Sequence, residues 1–273
     1  MKFNFIKITS KQHHWLDFIL AMTEKEIKLR YKHVVLGFLW IILNPLFQML
    51  VIGFIFQFFV PVHVDNYFLF LFSGLLPWNF FAMSLAKTTP SIVYERSLIQ
   101  KAKFPREAIP LSIIFSNMFH FLVSLGLLMI ALIVDKLLFA NYSLVDLIAY
   151  IFNFLWIVPL LLWLLVLTTS LSLLSAALNV KYRDVNFMVQ AVITLWFYAT
   201  PIVYTLNLLP DFLQPLIYLN PLVSIIEGFH WVLLNLQPAA PQLMVLSLVM
   251  TTVMMKLSWQ VFKKESKNFD DWV

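Results

Sequence analysis

The sequence predicts an all-α integral membrane protein: six transmembrane helices, an N-terminal amphipathic interfacial helix, and re-entrant half-helices between spans five and six. Two observations carry that prediction. Hydrophobic residues make up 61% of the 273 and charged residues only 12%, about half the charged share of an average soluble domain. In addition, all but one of the nineteen Lys and Arg residues fall in alternate gaps between long uncharged runs. The basic gaps are 1–33, 87–107, 181–184 and the C-terminal end from Lys256 onward. The gaps at 60–66 and 211–240 hold no basic residue, and 135–146 holds only Lys136. Cytoplasmic loops are enriched in Lys and Arg, so the order runs in, out, in, out, in, out, in, with both termini cytoplasmic.

Residues 15–33 form the first element. Leu16, Ile19, Leu20, Ile27 and Tyr31 recur near the helical period, while Lys25, Lys28 and Lys32 point elsewhere. Glu24 with Lys28, and Glu26 with Arg30, stand four apart with the acid first, which supports a helix. A basic amphipathic helix of this kind lies in the interface plane; its plainest role is to anchor and orient span one. Uncharged runs then mark spans at roughly 35–59, 67–87, 109–134, 148–178, 186–206 and 241–261. Each meets the need for about 20 apolar residues. Tyr67, Trp78, Tyr142, Tyr182 and Trp259 suit interfacial anchoring.

Residues 207–240 break the hairpin plan. The stretch is apolar, without a basic residue, and interrupted by Pro210, Pro215, Pro221 and Pro238, with Pro241 just beyond. Proline disrupts a helix interior. Two pieces, near 211–219 and 222–234, read as half-helices that enter from outside and return around Asn220-Pro221. Non-helical backbone at that depth survives only when covered by protein or lining a watery cavity, so the segment is expected to border a translocation path. The alternative is a long external loop lying flat on the surface.

The composition also excludes chemistry. The net charge of +5 divides by side and suits a face resting on anionic lipid, not nucleic acid. With no cysteine, disulfides, thiolate nucleophiles and cysteine metal sites are ruled out. The polar N-terminus lacks the short apolar core of a cleavable signal peptide. None of the five glycines precedes Lys, so there is no phosphate loop, and ATP hydrolysis would have to come from another chain. The six histidines show no HExxH or other metal spacing. Within spans one to five the one deep ionisable residue is His120. Ion-coupled transporters usually keep intramembrane carboxylates or basic residues as relays, which disfavours that class. Asn141-Tyr142-Ser143 is a glycosylation sequon by pattern alone.

Three stretches resemble the permease subunit of ABC-2 type exporters, specifically the branch that exports O-antigen, capsular polysaccharide and teichoic acid. The first is Ile27 to Lys32 followed by Val35-Leu36-Gly37-Phe38-Leu39-Trp40 and Leu43-Asn44-Pro45-Leu46. It is similar to the family's K-x-R-Y-x-x-S-x-L-G-x-x-W-x-x-L-x-P start of span one, with Val34 where a small polar residue is common. The second is Leu98 to Glu107, similar to the family's K-x-x-F-P-R/x-E loop. The third is Asn179 to Val185, with Phe197-Tyr198-Ala199-Thr200-Pro201-Ile202 in the next span. The resemblance covers nearly the whole chain and implies a single ABC-2 type transmembrane domain over 1–273.

That resemblance implies a homodimer with a twelve-span pathway, bound to two copies of a separate ABC ATPase subunit. ATP and Mg would sit on that partner, and this chain would bind no cofactor or metal and would not itself be an enzyme. The expected substrate is a lipid-linked polysaccharide, moved across a bacterial inner membrane. The 88–107 loop would carry a short coupling helix, with Arg96, Lys101, Lys103, Phe104, Pro105, Arg106 and Glu107 as candidate docking residues. Its basic residues suit an acidic rim or lipid phosphates. A mere turn needs no twenty residues, which favours coupling over anchoring alone. Residues 15–33, with Lys25, Lys28, Arg30 and Lys32, would sit beside the ATPase. Aromatic faces stack on sugar rings without a fixed hydrogen-bond register, so Phe54, Phe58 and Phe59 of span one and Trp196, Tyr198 and Tyr204 of span five are candidates for the path. Packing or lipid contact is the competing role for such a stripe.

Three other functions fit parts of the pattern. One is an ABC-2 exporter of small hydrophobic compounds. Another is a membrane glycosyltransferase acting on a lipid-linked sugar, which needs paired carboxylates outside; Asp65, Asp135, Asp146, Asp211 and Glu227 are instead scattered singly. The last is a passive channel, which requires no docking loop.

Overall fold

The computed structural model describes residues 10–32, 37–59, 66–101, 104–138, 143–210, 212, 214–237 and 240–272. These are predominantly helical, with no strand among the described residues. Five helical stretches are long and apolar enough to cross a membrane, and two shorter apolar helices, Val185–Tyr198 and Pro221–Leu234, accompany them. The chain is a multi-pass membrane protein.

Helix α1 (Ser10–Tyr31) packs along the helix that starts at Ala108. Its inward face is Ile19 and Met22, with Phe18, Glu26 and Arg30 half-buried, while Leu16 and Leu20 are exposed. The apolar residues of the expected stripe therefore divide between a side that faces the protein and a side that is exposed. A protein surface, not lipid alone, selects the face, and it takes Arg30 inward.

Helix α2 (Trp40–Phe59) follows a turn in which Gly37 has a φ of 43°, a left-handed conformation that costs glycine little. Pro45, one turn in, cannot donate to the carbonyl of Ile41. That carbonyl accepts instead from the Ser124 hydroxyl at 3.3 Å, so the helix defect is satisfied by a neighbouring span. Helix α3 (Tyr67–Thr88) is central: it meets α2 and the later spans, and its buried residues run from Tyr67 to Thr88.

The short α4 (Ser91–Tyr94) and α5 (Arg96–Lys101) cross from α3 to α6 (Ala108–Leu138). Next come α7 (Leu144–Asn153) and α8 (Ile157–Lys181). α7 opens on a capping box in which Ser143 and Asp146 satisfy each other's backbone donors. The expected fourth span, a single helix, is thus two helices joined through a 3-10 turn at Phe154–Trp156.

Helix α9 (Val185–Tyr198) is shorter than the expected fifth span. The cause is local: Pro201 lacks a donor and disfavours helical backbone at the residue before it. The chain continues irregularly, with Ile202 and Val203 buried and the Tyr67 hydroxyl donating to the carbonyl of Val203 at 2.7 Å.

Beyond it, α10 (Gln214–Ile217) and α11 (Pro221–Leu234) are separated at Asn220, as the two-piece reading predicts. Asn220 caps α11, its side chain accepting from the amide of Leu222 at 3.1 Å and donating to the Thr200 hydroxyl at 2.9 Å. α11 does not lie flat on the surface: it is buried among α3, α8 and α12 (Pro241–Glu265). A Cβ on Gly228 would come within 2.5 Å of Leu160 Cδ2, so glycine is what lets α11 approach α8. α12 runs along α8, where Trp163 Nε1 donates to the Thr251 hydroxyl at 3.0 Å. A final turn, α13 (Phe269–Trp272), packs against α5 and α8.

Candidate coupling face and transport path

The 88–107 loop is built into the molecule from two sides. Phe104 packs against Phe18 of α1 with tilted rings and centroids 4.8 Å apart, and the guanidinium of Arg106 lies 5.1 Å from the centre of the Phe104 ring. Arg106 also donates to the carbonyl of Ile99 at 3.0 Å, which closes the turn after α5. Glu95, between α4 and α5, pairs with Lys25 of α1 at 2.7 Å. At the other side, the buried carboxylate of Glu107 pairs with Lys263 of α12 at 2.6 Å. Beneath the loop, Ile92, Ile99 and Ile109 form one apolar cluster with Leu173, Val180, Phe262 and Phe269.

This arrangement sorts the expected coupling residues. Arg96 and Lys101 are exposed and available to a partner surface, whereas Phe104, Pro105 and Arg106 are half-buried and Glu107 buried. The second group holds the loop; the first can face outward. Lys103 lies outside the described residues. Lys25 and Lys28 on α1, and Lys32 just past its end, are exposed. Lys28 reaches Glu24 at 2.5 Å, and this hydrogen bond and charge hold the Glu24 carboxyl below its usual range. Arg30 turns inward, its Nη2 donating to Asn117 Oδ1 at 2.5 Å.

The expected path aromatics fall on two surfaces. Phe54 and Phe58 project outward from α2 with ring centroids 4.8 Å apart, and Phe54 borders a shallow apolar depression with Leu50, Val51, Ile55 and Phe68. The side chain of Phe59 lies outside the described residues. On the other surface, Tyr198 is exposed, while Trp196 is half-buried and meets Phe81 edge-on at 5.3 Å. The Tyr204 hydroxyl donates to the carbonyl of Tyr198 at 3.0 Å. Trp196 is thus partly committed to packing; Phe54, Phe58 and Tyr198 keep free faces.

Sequence reasoning did not single out a largely apolar cavity of about 510 Å³, with polar side chains set in its wall, between α1, α2, α3 and α6. Its wall includes Arg30, Asn44, Gln48, Asn79, Asn117 and His120. The available signal was spacing. Asn44 and Gln48 stand four apart on α2, and Asn117, His120 and Ser124 recur at helical intervals on α6.

A multi-pass helical membrane protein with a clamped loop between α3 and α6 and a short, buried helix that opens on proline is the class that this geometry defines. The chain belongs to the ABC-2 type transporter family, whose model matches residues 18–234. It is similar to two proteins of Klebsiella pneumoniae named O-antigen export system permease protein RfbA. Each is 32% identical over 231 residues, covering 84% of this chain and 85% of the relative. A Myxococcus xanthus protein of the same name is 28% identical over 268 residues, 97% of this chain and 98% of its own length.

Proposed function

We propose that this chain is the permease subunit of an ATP-driven exporter that moves a lipid-linked, O-antigen-like polysaccharide from the cytoplasmic to the outer face of a bacterial inner membrane. The observation that carries the reading is likeness to O-antigen export system permeases over most of both chains. In this reading two copies pair, and two copies of a separate ATPase supply ATP and Mg chemistry. Exposed Arg96 and Lys101 meet the ATPase, and the clamped Phe104–Glu107 turn passes its movement to α1 and α12. α1 lies at the cytoplasmic interface, α9 with the residues after it makes the sixth crossing, and α11 is a half-helix in the outer leaflet. The burial of α11 and its contacts with α3 and α8 support that last assignment.

Depletion of the protein tests the whole reading. Lipid-linked glycan is expected to accumulate at the cytoplasmic face, and the tagged chain to co-purify with an ATPase. Absence of an ATPase partner overturns the proposal. Replacing Phe104, Pro105 and Arg106 together tests coupling: membrane insertion persists while ATP hydrolysis no longer drives export, and unchanged export removes the coupling role.

A further inference from the structure

We infer that the cavity between α1, α2, α3 and α6 binds the phosphate-sugar junction of the lipid-linked glycan before transport. The inference rests on the exporter reading and gives it a substrate site. Four carboxamides, Asn44, Gln48, Asn79 and Asn117, face one cavity of about 510 Å³, within the range of pockets that hold small ligands. Their helices cross a membrane, where polar side chains are costly and usually mark function. Asn44 and Gln48 are themselves exposed on α2, so they are open to a polar ligand.

The chemistry of the lining is mixed in an informative way. Carboxamides both donate and accept, which matches sugar hydroxyls. Trp40, Phe80 and Phe121 supply aromatic walls for the apolar faces of a sugar ring. Arg30 brings a guanidinium, the side chain best shaped for phosphate oxygens, and Asn117 Oδ1 holds it at the wall at 2.5 Å. Asn117 is fixed in turn by donating from Nδ2 to the Ser84 hydroxyl at 3.1 Å, and Asn79 by donating to Gln48 Oε1 at 2.7 Å. The donors are therefore preorganised from three helices. Exposed Trp40 and Met83 stand where the cavity meets the surface, so a lipid tail can remain in the bilayer while its headgroup enters.

The cavity also sits against the drive elements, because Arg30 belongs to α1, which pairs with the 88–107 loop through Lys25 and Glu95. Movement of that loop would reach the headgroup through a single helix.

Calorimetry on the detergent-purified chain tests the site, with farnesyl diphosphate linked to N-acetylglucosamine as probe. Farnesyl diphosphate, farnesyl N-acetylglucosaminide and phosphatidylglycerol serve as comparison ligands. The conjugate is expected to bind at least tenfold tighter than any of the three. Asn79→Leu and Arg30→Met are each expected to weaken it at least tenfold, with Arg30→Lys intermediate. Asn79→Leu keeps the side-chain size, so its result stands even where Arg30→Met fails to fold. Phosphatidylglycerol binding equally well makes this a general lipid site and overturns the inference, as does unchanged affinity in both variants. A change in self-association with unchanged affinity assigns the amides to a second copy and likewise overturns it. Because the readout is binding, failure here is distinguishable from failure of the exporter reading, which depletion reports.

Discussion

At the scale of single residues, two contacts carry most of the consequence. Glu107 is buried, and its carboxylate meets Lys263 across a separation of 156 residues. Lys263 is itself exposed, so the consequence falls on the glutamate: removing the lysine leaves a buried carboxylate unpaired, which costs more than the pair itself gains. Lys263→Met is therefore expected to lower the thermal midpoint of the purified protein, and Glu107→Gln in the same background to recover part of it. A double-mutant cycle should show coupling of about 0.5–3 kcal/mol; additive effects would mean that the pair does not hold the loop. The sequence made Glu107 a candidate through the loop pattern, but Lys263 could be read only as one more inside charge. Pairing at that separation depends on how α12 lies along α8, which no local spacing encodes. Arg30 is the converse case. Its place on a basic helix suggested an outward charge, while packing against α6 turned it toward Asn117.

At the scale of elements, prolines and glycines made the chain legible where packing did not. Asn220-Pro221 marked the break before α11, because proline fits a first helical turn and Asn caps it. The same logic applied to Pro201 would have ended span five early, and the apolar run past it hid that boundary. What the sequence left open was whether 221–234 is buried, since an apolar stretch of that length suits lipid or protein equally. Gly228 decides it, by allowing α11 to meet Leu160. Gly228→Ala is expected to destabilise the protein by about 1–3 kcal/mol through overpacking, measured by thermal or denaturant unfolding in detergent. Adding Leu160→Ala should recover part of the loss, and a neutral single substitution would remove the close approach as the reason for glycine. Asn220→Ala should cost about 0.5–2 kcal/mol as a lost cap, and more if its bond to Thr200 also fixes the segment after α9.

At the scale of the whole molecule, the proposed sixth crossing needs more than a helix of fourteen residues. At about 1.5 Å per residue such a helix covers about 21 Å, short of the roughly 30 Å hydrocarbon core. In the proposed reading the segment after it makes up the difference. Val185 follows closely on Lys181, the last residue of α8, while the carbonyl of Val203 accepts from Tyr67 in the first turn of α3. Residues 185 and 203 therefore stand near opposite ends of the bundle, and the irregular residues after Tyr198 are covered by α3 and α11 as burial of non-helical backbone requires. The chain has no cysteine, so a single introduced thiol reports its own side of the membrane without background. Membrane-impermeant maleimide added to spheroplasts is expected to label Gln237→Cys and Leu144→Cys but to spare Arg183→Cys and Lys267→Cys, which should react in inverted vesicles. All four positions are exposed, so silence from both sides would not arise from burial in the chain itself. Ser224→Cys, at a fully buried position of α11, should react only after denaturation. Labelling of Arg183→Cys and Gln237→Cys from the same side would place α9 and its extension in one leaflet, leave an odd number of crossings and put the two termini on opposite faces. The clamp between α1, the 88–107 loop and α12 could not then lie wholly on the cytoplasmic side, and the ATP-driven mechanism would lose its geometry along with the sixth crossing.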